Sequence, residues 1–405
     1  MKIAYLCEPQ LGGTYTFFKT LRPLLARQGM DFICVSEASR DWFSASRFAR
    51  DEGVECAALD ASRSLADQTR SLISFLQTHA FDAVMILPAC SLVSSNLPRY
   101  LPHSIKCFVR VPMMTRGAYA PVRAIWRHVN GIVAVSDRIR TDLTRYGVPA
   151  ETVSTIFHGV QVNNGQSWRM EKSSSGPLRL LYAGRLTDLD KGVFLLPKIM
   201  RDLRNSGGNA RLSVVGAGED EGKLKRIVSS MGLADSIDFI GKRSVEEMPG
   251  IYRRADVFLL PSRFEGCGFS LLEAMAEGCA PVASDIQGSV RTILDNGHAG
   301  KLAPVGNARA FAKAVLELES DRSMLRKMQD AAFARVSSEY TLDRMEQAYA
   351  KVFSAAMTHP DSRDQPLDLA DYAVPSDLRP TWRTLIPRPV KNWVRTCLER
   401  FAISV

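Results

Sequence analysis

The chain has 405 residues, 46% of them hydrophobic and 23% charged, and its formal net charge is +9. This composition is that of a soluble globular protein, and the length predicts two domains because it exceeds what one core supports. No stretch approaches the roughly 20 apolar residues of a membrane span, and the N-terminus lacks the apolar region of a secretory signal. We therefore expect a cytoplasmic protein.

The cysteines and the charge narrow the class of partner. The eight cysteines include no C-x-x-C pair, and several lie within strand-like runs such as DFICVS and IKCFV. This distribution predicts buried free thiols in a reducing compartment and no metal site. The positive charge favours anionic partners such as nucleotides and phosphates. Nucleic acid is not expected, since no zinc finger, RNA-binding fingerprint or basic region with heptads occurs.

Short apolar strands alternate with amphipathic helical stretches through the first half of the chain. The predicted strands are KIAYLC, DFICVS, DAVMILP, IKCFVRV, GIVAVS and VSTIFHG, with helical stretches such as YTFFKTLRPLLARQG between them. Apolar strands separated by helices predict a parallel sheet that is covered on both faces. We assign this domain to residues 1–165.

The same alternation returns after a polar stretch. NNGQSWRMEKSSSGP has no periodicity, and we interpret residues 166–177 as a linker. LRLLYAG, ARLSVVG, SIDFIG, ADVFLLP and APVAS then predict a second parallel sheet in residues 178–335. A helix over residues 336–358 and a polar, then basic and aromatic tail over residues 359–405 follow. The fold class is thus α/β, with two Rossmann-like, doubly wound domains facing a central cleft.

The stretch FEGCGFSLLEAMAEGCAPV joins a predicted strand to a predicted helix that ends at Gly278. Its loop lies at the carboxyl end of a parallel strand, where open α/β sheets bind ligands. Gly266 and Gly268 let the backbone approach a ligand, and the following helix N-terminus suits a phosphate. Glu265 stands on the loop, where it has no evident structural role. Glu273 has the spacing of a capping box, so on spacing alone it either binds its own backbone or faces a ligand.

The segment SRFEGCGFSLLEAMAEGCAPVASD resembles the E-x7-E signature of the retaining, GT-B-fold glycosyltransferases of family 4, the glycosyl transferases group 1. LLYAGRLTDLDKG is similar to the G-R-L…K-G segment of that family, and LSVVGAGEDEGKLK to its V-G-x-G segment. The resemblance is dense over residues 178–305 and looser in the N-terminal half. It implies a hexosyltransferase that transfers a sugar from a nucleotide diphosphate sugar with retention, and C-terminal helices that pack back on the N-terminal domain.

The resemblance also implies a role for each matching position. Glu265 would contact hydroxyls of the donor sugar, and Glu273 the nucleotide ribose. Arg185 and Lys191, which could otherwise be solvated surface charges, would hold the diphosphate, because fixed cations stabilise a leaving group without a metal. We therefore expect no cofactor and no metal. The remaining donor-binding positions are Gly268, Phe269 and Ser270 near the diphosphate, Gly241 and Lys242 near the base, and the loop glycines Gly216, Gly12 and Gly13.

Three features depart from the family pattern. The G-R-L…K-G segment is one residue longer here. The histidine that many relatives carry after the strand matching IKCFVRVP is missing, and Arg110 and Arg116 are the nearest polar candidates for the acceptor side. IFHGVQ stands where relatives commonly have N-G-V-D. His158 is therefore either a packing or hinge residue or an acceptor-side base.

The tail RPTWRTLIPRPVKNWVRTCLERFAISV combines aromatic and aliphatic residues with basic ones. It predicts either a helix that covers the N-terminal domain or an amphipathic contact with an anionic membrane surface, which would place the protein peripherally on the inner face. The expected partners are a UDP- or GDP-sugar and a saccharide or lipid-linked saccharide acceptor, in surface polysaccharide or glycolipid assembly. Two alternatives stay open, a nucleotide-sugar epimerase and a non-catalytic sugar-nucleotide-binding subunit.

Overall fold

The computed structural model describes residues 1–10, 12–88, 90–163, 166–172, 176–379 and 390. The chain divides into two compact units. The first unit comprises Met1–Phe157 together with the residues from Asp343 onward to Arg379, and the second comprises His158–Leu342. The basic and aromatic tail, for which a covering helix and a membrane contact are the two predictions, lies outside the described residues except for Arg379 and Val390.

The first unit is built on a parallel sheet of seven described strands in the order β3-β2-β1-β4-β5-β6-β7. The strands are β1 (Lys2–Leu6), β2 (Asp31–Ser36), β3 (Val54–Cys56), β4 (Ala83–Ile86), β5 (Lys106–Val111), β6 (Gly131–Ala134) and β7 (Val153–Thr155). The helices are α1 (Gly13–Arg27), α2 (Arg40–Ala45), α3 (Leu65–Thr78), α4 (Leu92–Asn96), α5 (Arg116–Ile125) and α6 (Asp137–Arg145). All four side chains of β4 are buried, as expected for an apolar strand with helices on both faces.

The second unit repeats this plan with six described strands in the order β10-β9-β8-β11-β12-β13. Its strands are β8 (Leu178–Ala183), β9 (Ala210–Val215), β10 (Ile237–Gly241), β11 (Val257–Leu260), β12 (Ala280–Ser284) and β13 (Lys301–Ala303). Its helices are α7 (Gln166–Glu171), α8 (Asp188–Lys191), α9 (Leu195–Asn205), α10 (Glu221–Ser230), α11 (Met248–Arg254), α12 (Phe269–Ala276), α13 (Val290–Ile293), α14 (Ala308–Ser320) and α15 (Arg322–Glu339). The neighbouring strands of this sheet, as far as the structure describes it, pair in parallel. The predicted class of two doubly wound α/β domains is confirmed.

A last long helix, α16 (Leu342–Thr358), returns to the first unit. Its Tyr349 and Phe353 are buried, and their rings contact Phe17 and Phe108 with centroid separations of 5.3 and 5.0 Å. Burial of large aromatic side chains dominates such contacts energetically. This packing explains why the end of the chain is part of the first unit although it follows the second in sequence.

The polar stretch after α16 is held on the first unit by ion pairs. Asp361 accepts hydrogen bonds from Arg363 and from Lys106, at 2.8 and 3.0 Å for the closest atoms. Arg123 donates two hydrogen bonds to Asp377, at 2.8 and 2.6 Å. Bidentate pairs of this kind fix geometry as well as charge. These ion pairs hold the stretch against the first unit although it contains few apolar residues.

Part of the stretch predicted as a linker is helical. Residues 166–171 form α7, and Trp168 is only 3% exposed. A Cβ on Gly278 would lie 2.2 Å from the Trp168 ring, so only a glycine leaves room for the indole at this position. The ring also packs against Phe333, with a centroid separation of 5.8 Å. The buried indole anchors α7 to the second unit in spite of its polar neighbours.

The cysteines in the described part of the chain are free. Burial of the thiols is confirmed for five of them and wrong for Cys90, which is exposed. Within the described ranges, no group of three or more His, Cys, Asp or Glu side chains is arranged to hold a metal ion. The same part of the chain contains no helix that is both long and apolar enough to span a membrane.

In the second sheet, the order of the strands indicates where a ligand can bind. In the second sheet the chain order reverses between β8 and β11. The loops after two such strands diverge to opposite faces and leave a crevice at the carboxyl edge, where open α/β sheets bind ligands. Arg185 and Lys191 follow β8, and Glu265 follows β11. The topology therefore brings three predicted site residues to one crevice.

Candidate functional site

The loops after β8 and β11 are joined by backbone contacts. The N–H groups of Arg263 and Phe264 both donate to the carbonyl oxygen of Asp190, at 2.8 and 3.3 Å. Gly192, which ends α8, has a φ of 63°, and a Cβ at this position would lie 2.3 Å from the carbonyl oxygen of Pro261. Only glycine satisfies both the left-handed backbone and the close approach. The two loops therefore form one continuous surface.

Gly192→Ala should destabilise the second unit more than a substitution that strains the backbone alone. A left-handed φ costs a non-glycine residue about 1–2 kcal/mol, and overpacking adds about 1–3 kcal/mol. Gly207→Ala is the matched control, because Gly207 has a φ of 83° and nothing within 4 Å of a Cβ. Free energies of unfolding in urea measure the difference. Equal losses in the two variants would show that the loop contact has no energetic weight.

Lys191 and Glu265 meet across these loops. Lys191 Nζ donates to Glu265 Oε2 at 2.7 Å, and the two side chains are only 18% and 10% exposed. Ser262 Oγ donates to the same oxygen at 3.2 Å, and the Gly268 N–H donates to Glu265 Oε1 at 3.2 Å. Ser289 Oγ donates to the backbone carbonyl of Glu265 at 2.7 Å. The extra residue in the loop after β8 therefore does not move Lys191 away from Glu265.

Arg185 lies at the open side of the same loop. Its side chain is 71% exposed and pairs with Asp190, with 2.6 Å between Nη2 and Oδ2. Thr187 Oγ1 donates to the other oxygen of Asp190 at 2.5 Å. An exposed ion pair contributes about 0–1 kcal/mol, so a phosphate can compete for the guanidinium. Arg185 is thus available to an anionic ligand.

Helix α12 begins directly behind Glu265. Gly268 forms its N-cap with a φ of 69°, no side chain caps the helix, and its first turn contains no acid. The N–H groups of Phe269 and Ser270 have no acceptor among the residues that the structure describes. Uncapped N–H groups and the positive end of the helix dipole attract an anion. Two cations from the loop after β8 and two free amides of α12 therefore lie at the same edge of the sheet as Glu265.

Glu273 does not form the capping box that its spacing allows. The cap position is Gly268 and not Ser270. Glu273 Oε2 instead accepts a hydrogen bond from the hydroxyl of Tyr252 at 2.8 Å. Burial raises the pKa of Glu273, and the Tyr252 hydrogen bond opposes this shift. The Glu273 Oε1 atom accepts no hydrogen bond from the described residues, which leaves it available to a ligand.

The other predicted donor-side positions lie at the same edge of the sheet. Gly216 follows β9, and a Cβ there would lie 1.9 Å from the carbonyl oxygen of Gly184, so this glycine permits contact between two loops. Gly241 ends β10 where the strand register shifts. Lys242 follows it and is exposed. Gly216 thus has a packing role, while Gly241 and Lys242 remain open to a ligand.

Two predicted acceptor-side residues are buried. Arg110 is 2% exposed, its guanidinium lies 3.8 Å from the centroid of the Phe17 ring, and its Nε donates to the hydroxyl of Tyr349 at 3.3 Å. His158 is 6% exposed and its ring contacts that of Phe269 with a centroid separation of 3.9 Å. These environments favour packing roles for both side chains.

The remaining predicted positions in the first unit lie at helix starts. Gly12 precedes α1, which begins at Gly13, and both glycines are exposed. Arg116 begins α5, but its side chain lies outside the described residues. Both helices follow strands of the first sheet, β1 and β5, at its carboxyl edge.

Sequence reasoning missed several residues that build the crevice. Ser262 lies two residues after the end of β11, and a polar residue just beyond a buried strand is a usable signal. Asp190 and Ser289 act through backbone contacts, which no sequence pattern reveals. Tyr252 lies in α11, where an aromatic residue is ordinarily assigned to the core.

These features define the protein as one with the GT-B glycosyltransferase fold, and solved structures agree. HepE of Anabaena in complex with UDP-glucose matches with a TM-score of 0.71 and 18% identity, over 88% of this chain and 100% of that chain. Sucrose-phosphate synthase of Thermosynechococcus elongatus matches with a TM-score of 0.70 and 17% identity, over 87% and 99% of the two chains. At such identities the likeness establishes the fold alone.

The family match falls on the unit that carries the crevice. Residues 166–335 match the family described as glycosyl transferases group 1. The amylovoran biosynthesis glycosyltransferase AmsK of Erwinia amylovora is 29% identical over 226 residues, which are 54% of this chain and 52% of AmsK. The lipopolysaccharide core biosynthesis mannosyltransferase LpsB of Rhizobium meliloti is 32% identical over 139 residues, 34% of this chain and 39% of LpsB. The chain spans about half the length of the curated relatives that it matches first.

Proposed function

We propose that the protein is a glycosyltransferase that moves a hexose from a nucleotide diphosphate sugar to an acceptor hydroxyl with retention of anomeric configuration. The observation that carries the proposal is the Lys191–Glu265 pair beside the uncapped N-terminus of α12. The family match over the same residues supports this chemistry. The names of AmsK and LpsB point to a surface polysaccharide or glycolipid as the product.

The diphosphate of the donor would bind at the positive side of the crevice. As the bond between the anomeric carbon and the phosphate oxygen breaks, negative charge grows on the departing diphosphate. In the proposal, Lys191, Arg185 and the free N–H groups of Phe269 and Ser270 would stabilise this charge. In the proposal these groups perform the role that a metal ion has in other enzymes, so no cofactor is required.

Glu265 would bind hydroxyls of the donor hexose. The ammonium of Lys191 has three N–H donors, so it can keep its hydrogen bond to Glu265 and donate to a phosphate oxygen at the same time. One side chain thereby links the sugar-binding carboxylate to the leaving group. The acceptor oxygen would attack the anomeric carbon from the face that the diphosphate leaves, and its proton would pass to the departing phosphate oxygen.

Glu273 would bind the ribose hydroxyls of the nucleotide through its open oxygen. Gly241 and Lys242 lie at the end of β10, at the same sheet edge, and would bind the base. The structure of HepE with UDP-glucose makes a UDP-sugar the first donor to try. The saccharide or lipid-linked saccharide acceptor would bind on the first unit, near the loop that contains Gly12.

A donor hydrolysis assay tests the proposal. Incubation with UDP-, GDP- and ADP-sugars in the absence of acceptor should slowly release free nucleoside diphosphate from one of the three. The Glu265→Gln variant, purified in parallel, measures the release that contaminating hydrolases cause. An epimerase would convert the sugar of the sugar nucleotide into its epimer without releasing nucleoside diphosphate. A non-catalytic subunit would leave the sugar nucleotides unchanged. Either result would reject the proposed transfer reaction.

A further inference from the structure

Tyr252 lies behind the crevice and is held rigidly there. Its side chain is 2% exposed, and its ring meets Phe258 of β11 edge to face, with a centroid separation of 6.0 Å. Its backbone carbonyl accepts hydrogen bonds from Cys279 Sγ at 3.0 Å and from Lys172 Nζ at 3.5 Å. The ring contact and the backbone hydrogen bonds together fix the position of the Tyr252 side chain.

The hydroxyl of Tyr252 is a permanent hydrogen-bond donor. Burial and the neighbouring Glu273 carboxylate raise the pKa of Tyr252 well above its ordinary value, so the phenol keeps its proton at physiological pH. It donates to Glu273 Oε2 at 2.8 Å. This hydrogen bond holds Oε2 of Glu273, and Oε1 is the oxygen that remains for a ligand.

No cation within the described part of the chain pairs with Glu273. Glu277, one helical turn further along, differs in this respect because Arg253 pairs with it at 3.1 Å. Burial raises the pKa of Glu273, and the hydrogen bond from Tyr252 opposes this shift. The Tyr252 hydroxyl therefore favours the ionised form of Glu273.

We propose that Tyr252 is a positioning residue for the donor nucleotide, which occupies one oxygen of Glu273 and presents the other to the ribose hydroxyls. This inference rests on the proposed function, because it assumes that Glu273 binds the ribose. An ionised carboxylate accepts hydrogen bonds from ribose hydroxyls at both lone pairs of the free oxygen, whereas a protonated or rotated one does not. Tyr252 would thus control nucleotide affinity without touching the nucleotide.

Tyr252→Phe tests the inference, since it removes the hydroxyl and keeps the ring. Isothermal titration with UDP, GDP and ADP identifies the nucleotide that binds most tightly, and this nucleotide serves as the probe. We expect the variant to bind it about tenfold more weakly, while kcat changes by less than about threefold. Removal of the 2′-hydroxyl from the probe should reduce its affinity less for the variant than for the wild type. The reason is that the contact with the ribose is already weakened in the variant.

The pH profile adds a readout that a structural role would not move. Since burial raises the pKa of Glu273, its carboxylate is protonated and nucleotide affinity is lost as the pH falls through that value. Removal of the Tyr252 hydrogen bond raises this pKa further. The loss of affinity in Tyr252→Phe should therefore begin at a higher pH than in the wild type.

Two further variants separate the possible failures. Tyr119→Phe is the matched control, because Tyr119 is 1% exposed and donates to the carboxylate of Asp142 at 3.2 Å in the first unit. If Tyr119→Phe and Tyr252→Phe lose equal amounts of nucleotide affinity, Tyr252 has no positioning role. If Glu273→Gln binds the probe as the wild type does, the ribose assignment itself fails. If Glu273→Gln weakens binding but Tyr252→Phe does not, the inference fails and the proposed function stands.

Discussion

Glu265→Gln should lower kcat by about 10²- to 10³-fold and change the affinity for the donor by less than about threefold. The amide keeps the shape of the side chain but loses the charge that Lys191 and the Gly268 N–H now stabilise. In the proposed reaction this charge faces the hexose as the anomeric carbon becomes electron-poor, so it matters most in the transition state. Single-turnover release of nucleoside diphosphate measures kcat, and calorimetry measures the affinity.

Glu277→Gln is the matched control for this variant. Glu277 is 6% exposed and pairs with Arg253, so it is also a buried, ion-paired glutamate of the same unit. It directly follows α12, the helix that begins behind Glu265. The control should lose stability and keep its kcat. If both variants retain full activity, Glu265 has no role in the reaction.

Lys191→Ala should weaken donor binding and slow transfer together. The side chain contacts the diphosphate in both the ground state and the transition state, so we expect affinity to fall about tenfold or more and kcat about 10²-fold. The variant also leaves the Glu265 carboxylate buried without its cation, and the unfolding midpoint should drop as well. Steady-state kinetics with thermal unfolding measure the two effects.

A double variant separates the two effects of Lys191. Lys191→Ala combined with Glu265→Gln removes the unpaired charge, so it should recover stability and remain inactive. Lys301→Ala removes another lysine of the second unit, paired with Glu317 at 2.8 Å, and should leave donor affinity unchanged. Recovery of activity in the double variant would mean that Lys191 serves only to neutralise Glu265.

The fold could be predicted from the sequence because its central strands are apolar runs between amphipathic helices. The strands that were not predicted, β3 (Val54–Cys56) and β13 (Lys301–Ala303), have three residues each and lie at edges of the two sheets. Three residues carry no measurable periodicity, and the equally short β7 could be predicted only because it lies within the longer stretch VSTIFHG. Helix α7 was missed for a related reason, since Trp168 is one buried residue among polar ones and only the tertiary structure shows that Gly278 makes room for it.

The site could be predicted in part. The order of strands and the resemblance place Glu265, Lys191 and Arg185 together, because all three follow strands that flank one crevice. The partner of Glu273 could not be predicted, since a capping box depends on where the helix starts, and the left-handed Gly268 makes it start at Phe269. The sequence makes Arg110 a polar candidate for the acceptor side, but Arg110 lies within an apolar strand, where a charged side chain has to find its partners inside the core.

The decisive experiment is a crystal structure of the protein with an intact donor, or with the nucleoside diphosphate that binds most tightly. We expect diphosphate oxygens about 3 Å from Lys191 Nζ and from the N–H groups of Phe269 and Ser270. The hexose should then lie against Glu265 and the ribose against Glu273. A nucleotide bound elsewhere on the chain, with no contact to Lys191 or Glu265, would contradict the proposed function.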